Sequence, residues 1–187
     1  MGRRFLIAAL ACAMLGVGFP LGASPAAAVS ADIVISQVYG GGGNSGSTLK
    51  NDFIELFNLG SVAVNVNGWS VQYAATTGTN WQKTDLAGWI KPGRYYLVQE
   101  AQGSGGTVSL PTPHASGTIN MAQGAGKVVL LNINALTTTG TVCPSGSSVV
   151  DIVGYGTGTN CSETSPTASL SSTAAAIRKS GGAQDTD

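Results

Sequence analysis

The feature that most limits the fold is a rhythm of short β-branched and aromatic segments, each closed off by Gly, Asn, Ser or Pro. "SVAVNVNGW" shows it best. Val62, Val64 and Val66 alternate with small or polar residues, and Asn67–Gly68 supplies a turn before Trp69. "KPG" at 91–93 is a second strong turn, with Pro92 and Gly93 suited to its two central positions. Strands are expected at 33–39, 53–58, 62–66, 69–73, 81–86, 95–99, 128–132, 149–155 and 174–178. No useful length of sequence carries the apolar period of an amphipathic helix, and "SLSSTAAAIRK" reads as an extended edge. This many short strands at this spacing describe an all-β chain, a sandwich or a barrel. Two connections are long, "GGGGNSGSTLKN" and "AQGSGGTVSLPTPHASGTINMAQGAG"; such loops are usually functional or mobile.

The first 31 residues follow a different pattern. Arg3 and Arg4 precede the apolar run "FLIAALACAMLGVGFPL" and the small-residue stretch "GASPAAAVSA". That order is a secretory signal peptide, residues 1–31, with cleavage after Ala28 or Ala31. Pro20 and Gly22 break the run too early for a spanning helix, which needs about 20 apolar residues, so no transmembrane segment is expected after cleavage. Lipidation at Cys12 is disfavoured because Ala9 stands where that motif wants leucine. Removing Arg3 and Arg4 leaves seven of the nine basic residues against nine acidic ones, a net charge near −2. Clustered Lys and Arg are the footprint of nucleic-acid binding, so tight binding of that kind is not expected. Cleavage also removes Cys12, leaving Cys143 and Cys161. Two cysteines in an exported chain most simply form one disulfide, worth about 3 kcal/mol for a loop of this length in the entropic view.

"VISQVYGGGG", "NDFIELFNLG", "NVNGWSVQYA", "IKPGRYYLVQE", "GKVVLLN" and "DIVGYG" together, in that order, resemble the lamin tail domain family. The likeness runs from Asp32 to Arg178. It implies an immunoglobulin-like β-sandwich of about 8–9 short antiparallel strands, a domain over 32–180, and a C-terminal tail over 181–187. "CPSGSSVVDIVGYGTGTNC" looks like the bacterial, exported version, which also supports pairing Cys143 with Cys161. Such domains carry no known chemistry of their own, and many precede a nuclease or phosphatase domain. The resemblance therefore implies a secreted or cell-surface module that is not an enzyme and has no cofactor. Its unknown ligand would be a protein, a polysaccharide or another cell-surface component. The stop after "GGAQDTD" motivates a second reading, the front end of a secreted metal-dependent nuclease or phosphatase whose catalytic domain is absent.

In "DFIELFN" alternate side chains share a face, so Glu55 lies between Phe53 and Phe57. An acid there is costly unless bonded. The resemblance makes Glu55 a structural acid, bonded to backbone N–H groups or a hydroxyl, and no neighbour supplies the second acid or His that catalysis would want. Gly41, Gly43 and Gly46 fit GxGxxG, but a strand follows where a dinucleotide site needs a helix; a flexible inter-strand loop is expected. His114, the only histidine, is a loop residue that cannot by itself form a recognisable zinc site. Asp151 is expected to bond a turn backbone. Asp185 and Asp187 are too few oxygens for calcium, so no metal site is expected. Among the tryptophans, Trp69 reads as core, while Trp81 and Trp89 lie beside polar or turn sequence and are candidates for exposure. Lining one exposed face they would support a third reading, a carbohydrate-binding module, with Trp81, Trp89 and His114 as ligand contacts.

Overall fold

The computed structural model describes residues 32–184, so the segment expected to be a signal peptide and the two acids Asp185 and Asp187 lie outside the described residues. Eleven strands and one short helical turn follow in order. They are β1 (Ile33–Tyr39), β2 (Asn51–Asn58), β3 (Val64–Asn65), β4 (Ser70–Ala75), β5 (Gln82–Asp85), β6 (Trp89–Ile90), β7 (Tyr95–Gln102), β8 (Ala115–Ser116), β9 (Gly126–Leu131), β10 (Val149–Tyr155), β11 (Ala176–Ile177) and α1 (Lys179–Gly182). One sheet has the order β11-β1-β2-β7-β8, the second β10-β9-β4-β5, and β3 pairs with β6 in a small ribbon. All pairings between these strands are antiparallel except β7 with β8.

Period-two alternation explains how the sheets stack. Ile33, Ile35, Val38, Ile54, Leu56, Tyr96 and Val98 of the first sheet meet Val71, Tyr73, Val128, Leu130 and Tyr155 of the second, in one core. A smaller core lies on the other side of the second sheet, where Ala74, Trp81, Val129, Leu131, Val149, Ile152 and Cys161 pack together with Cys143. Loops roof it, and polar side chains on that face hold the roof down. Ser70 Oγ donates to Ile133 O (2.8 Å), and Gln72 Nε2 to Ala135 O (2.8 Å).

Three differences from the sequence expectations have local causes. The alternation at 62–66 yields only the two-residue β3, because Val62 is in a bend and exposed while Val66 enters the core fully buried. β6 and β8, each two residues long, were not expected: a two-residue ladder has no period to read. The strand near 69–73 begins one residue later, at Ser70, because Trp69 N–H closes the turn onto Val66 O (3.0 Å) with Gly68 at φ 78°. The edge expected at the C-terminal end is present as β11, paired to β1.

Candidate functional site

The open side of the sandwich lies where β1 and β11 of one sheet face β10 of the other. The β1–β2 register shifts between Ile35 and Gln37, a bulge beside which the backbone of Ile35 turns to other partners. Both of its polar atoms find side chains from elsewhere. Ile35 N–H donates to Asp151 Oδ2 (2.6 Å), and Arg178 Nε donates to Ile35 O (2.9 Å). Arg178 Nη2 also reaches Asp151 Oδ1 (2.5 Å) and Glu163 Oε2 (3.4 Å). Glu163 Oε1 accepts from Ile152 N–H (3.3 Å), and Thr167 bonds Gly154 and Gly156, so the free edge of β10 is largely covered. Asp151 is fully buried; burial raises its pKa against the pull of Arg178. Burial, and then the charge of Asp151, pushes Glu163 up to about 8. A cleft of about 250 Å³ opens here, lined among others by Gln37, Glu163, Thr164, Ser165, Arg178 and Gln184.

The second candidate surface is the pair of long loops. The glycine loop after β1 is bonded throughout, contrary to the expected flexibility. Gly43 N–H meets Leu49 O (2.8 Å), Gly105 N–H meets Gly43 O (2.7 Å), and Lys50 N–H meets Val108 O (3.0 Å). The glycines permit this closeness. A Cβ on Gly42 would lie 2.0 Å from Asn51 C, and one on Gly43 2.2 Å from Gly103 Cα. Asp52 ties both loops to the sheet, its Oδ1 accepting from Gly42 N–H (2.9 Å) and its Oδ2 from Met121 N–H (2.9 Å). Glu100 Oε2 takes Ile119 N–H (3.0 Å), and the Thr84 hydroxyl lies beside the same carboxyl and eases its charge. Burial raises Asp52 to about 6 and Glu100 to about 7.

The residues singled out from sequence fall in separate places. Glu55 is half-buried on the outer face of the first sheet, between the Tyr39–Phe53 and Phe57–Tyr95 ring pairs, and its Oε1 accepts from Ser36 Oγ (3.0 Å). His114 is exposed, stacks on Tyr96 at 4.8 Å, and accepts Leu97 N–H at Nδ1 (3.0 Å). Trp89 is exposed on the small ribbon. Trp81 corrects its expectation: only 5% exposed, it packs in the roofed core, donates from Nε1 to Thr141 O (2.9 Å) and lies under Lys127. Trp81 and Trp89 therefore do not share an exposed face. Asp151 bonds a strand peptide across the sandwich rather than a turn. Cys143 and Cys161 are joined by a disulfide.

Sequence reasoning missed Glu163 and Arg178 as partners of Asp151, because they lie on other segments of the chain, Arg178 27 residues away, and meet it only in the folded sandwich. It passed over Asp52 in favour of Glu55, although Asp52 is one of the acids that hold the loops. The one usable signal was "GGGG" facing "NDFIELF", a close-packed loop followed by an acid able to bond it. Among the described residues, no group of three or more His, Cys, Asp or Glu could hold a metal ion.

No curated protein matches the chain. The family model of the lamin tail domain matches residues 26–157, from the signal-like segment through β10. With two stacked, largely antiparallel sheets and more than half of the sequence matched, the chain belongs to the lamin tail domain family, a family of non-catalytic immunoglobulin-like domains.

Proposed function

We propose that this chain is an exported, non-catalytic recognition or adhesion module that binds a protein or polysaccharide of the cell surface or its surroundings. One observation carries the reading: the buried acids are committed to the chain itself. Asp52 and Glu100 hold loop N–H groups, and Asp151 holds Ile35 N–H and Arg178. Carboxylates used in this way fix shape, whereas a general acid or base has to face a substrate. Glu55 fits the same role, a structural acid on Ser36. What remains for recognition is the platform made by the two loops and the cleft beside β11.

Export is part of the proposal, with residues 1–31 as the signal peptide, 32–180 as the module and 181–187 as its tail. The charged-apolar-small order of the first segment and the disulfide support it, since disulfides persist in oxidising compartments. No described helix is long and apolar enough to cross a membrane.

The test has two halves on the purified exported chain. Phosphodiester and phosphomonoester hydrolysis is measured with Mg²⁺, Mn²⁺ or Ca²⁺, and binding is screened on arrays of polysaccharides and surface proteins. Binding that is weakened by Thr164→Trp in the cleft or Thr107→Arg on the platform, without turnover, supports the reading. Metal-dependent turnover lost in a normally folded Glu55→Gln variant would sink it.

A further inference from the structure

The disulfide has a neighbour that the recognition role does not require. Lys127 stands in the second sheet with its side chain in the roofed core, and its residue is fully buried. Among the described residues no carboxylate lies opposite it. Its ammonium instead donates to Val142 O (2.6 Å) and Asn160 Oδ1 (2.8 Å) and sits 5.4 Å from the centre of the Trp81 ring. A buried cation without a counter-charge is expensive, and a Met of similar length would fill the space at lower cost. What it touches accounts for its presence. Val142 O belongs to the peptide group of Cys143, and Asn160 immediately precedes Cys161. One ammonium therefore grips both arms of the disulfide. Trp81 Nε1 adds a hold on Thr141, and Asn160 N–H reaches Thr76 O (3.5 Å). Asn160 and Cys161 lie past the stretch that the family model matches, so this grip joins a segment inside the match to one beyond it.

We infer that Lys127 is a positioning residue for oxidative folding, drawing the two cysteine arms together before their sulfurs are joined. The sandwich assembles first, the roof loops settle on Lys127, and the thiols meet already paired. The chemistry then needs a small disulfide oxidant such as oxidised glutathione. One cysteine thiolate attacks it and releases a glutathione thiolate, and the second cysteine thiolate displaces the other. The two cysteines lose two electrons to the oxidant, and their two protons end on the released glutathione thiols.

The experiment equilibrates the reduced chain in glutathione buffers of defined ratio and reads the fraction oxidised, by alkylation and mass. This gives the effective concentration of one thiol for the other. Lys127→Met is expected to lower that value by about tenfold or more, the weight of the charge-assisted bonds it loses. Asn160→Ala, at an exposed residue, is expected to lower it by about threefold or more while losing one of the two bonds. In concentrated urea, wild type and variants should coincide. Equal values for all three in native buffer, or differences that persist in urea, would overturn the inference. If Lys127→Met does not fold, Asn160→Ala decides the matter, with the melting curve of its oxidised form showing the fold intact.

Discussion

Asp151, in the second sheet, accepts the peptide N–H of Ile35 in the first at 2.6 Å, a side chain reaching a backbone donor beside a bulge in the opposite sheet. The two sheets are thus joined by a directed bond as well as by apolar contact. Arg178 completes the joint by taking the carbonyl of the same residue and the other carboxylate oxygen. Asp151→Ala leaves a buried N–H without its acceptor and takes from the guanidinium its nearer acid, and should cost about 3 kcal/mol or more. Asp151→Asn keeps an acceptor for Ile35 and should cost roughly half of that. Urea unfolding of the three proteins, compared at equal slope, measures both numbers.

The pH dependence of stability should run opposite to that of a protein whose acids sit in strong salt bridges. Asp52 at about 6, Glu100 at about 7 and Glu163 at about 8 are all raised by burial above their ordinary values. A raised carboxyl binds its proton more tightly in the folded state than in the unfolded one. Its contribution is therefore fully present below about pH 4 and is lost as pH rises through the folded value. For Glu100 that loss is on the order of 3 kcal/mol, and the more accessible Glu163 adds less. The melting temperature should fall between about pH 5 and pH 8. Glu100→Gln, uncharged throughout, should flatten the part of the curve between about pH 5 and 7. A melting temperature that climbs over this range would contradict the assignment.

The fold was legible where strands are long and rich in β-branched or aromatic residues. β1, β2, β7, β9 and β10 announce themselves through Ile33–Tyr39, "DFIELFN", "YYLVQ", "VVLL" and "VVDIVGY"; β9 is buried along its whole length and β1 nearly so, and there composition rather than alternation marks the strand. The ribbons β3–β6 and β7–β8 were not legible, since two residues of pairing are chosen by tertiary contact. Asn58, for example, bonds both Val62 O and Ile90 O through Nδ2 and so sets the β3–β6 ribbon from outside it. The site was less legible still. Glu55 drew attention by its place between two phenylalanines, yet the neighbouring Asp52 holds both loops, and nothing within "NDFIELF" ranks one acid above the other. The exposure of Trp81 was misjudged because the polar residues flanking it belong to a strand whose outer face is roofed.

The loop glycines should separate into two kinds on substitution. At Gly42 a Cβ would overlap the backbone of Asn51, and backbone cannot step aside as a flexible side chain can. Gly42→Ala should therefore cost about 2 kcal/mol or more and loosen the Asp52 contact beside it. Gly124 lies in the other long loop with open space around its would-be Cβ and no positive φ. Gly124→Ala should change stability by no more than about 0.5 kcal/mol, or raise it slightly by restricting the unfolded chain. Thermal unfolding of the two variants tests the contrast, and equal losses would mean that the loops are not packed as described.

The tryptophans offer the sharpest check on how the roofed core is built, because each reports its own environment. Trp89 is exposed and Trp81 is buried against Lys127 and the disulfide-bearing segments. A soluble quencher should therefore act most on Trp89, less on the half-buried Trp69, and spare Trp81, so Trp89→Phe should remove the largest share of the quenchable fluorescence. The stability effects should be reversed. Trp89→Ser should be nearly neutral, whereas Trp81→Ala opens a cavity beneath the roof, frees Thr141 and takes the aromatic face from Lys127. That loss should be about 3 kcal/mol or more. Under reducing conditions the same substitution should cost still more of the remaining stability, because the roof would then be held by hydrogen bonds such as those of Lys127, Ser70 and Gln72 without the covalent link. A Trp81 that is readily quenched in the oxidised protein would place it outside the roofed core and reopen the aromatic surface as a ligand site.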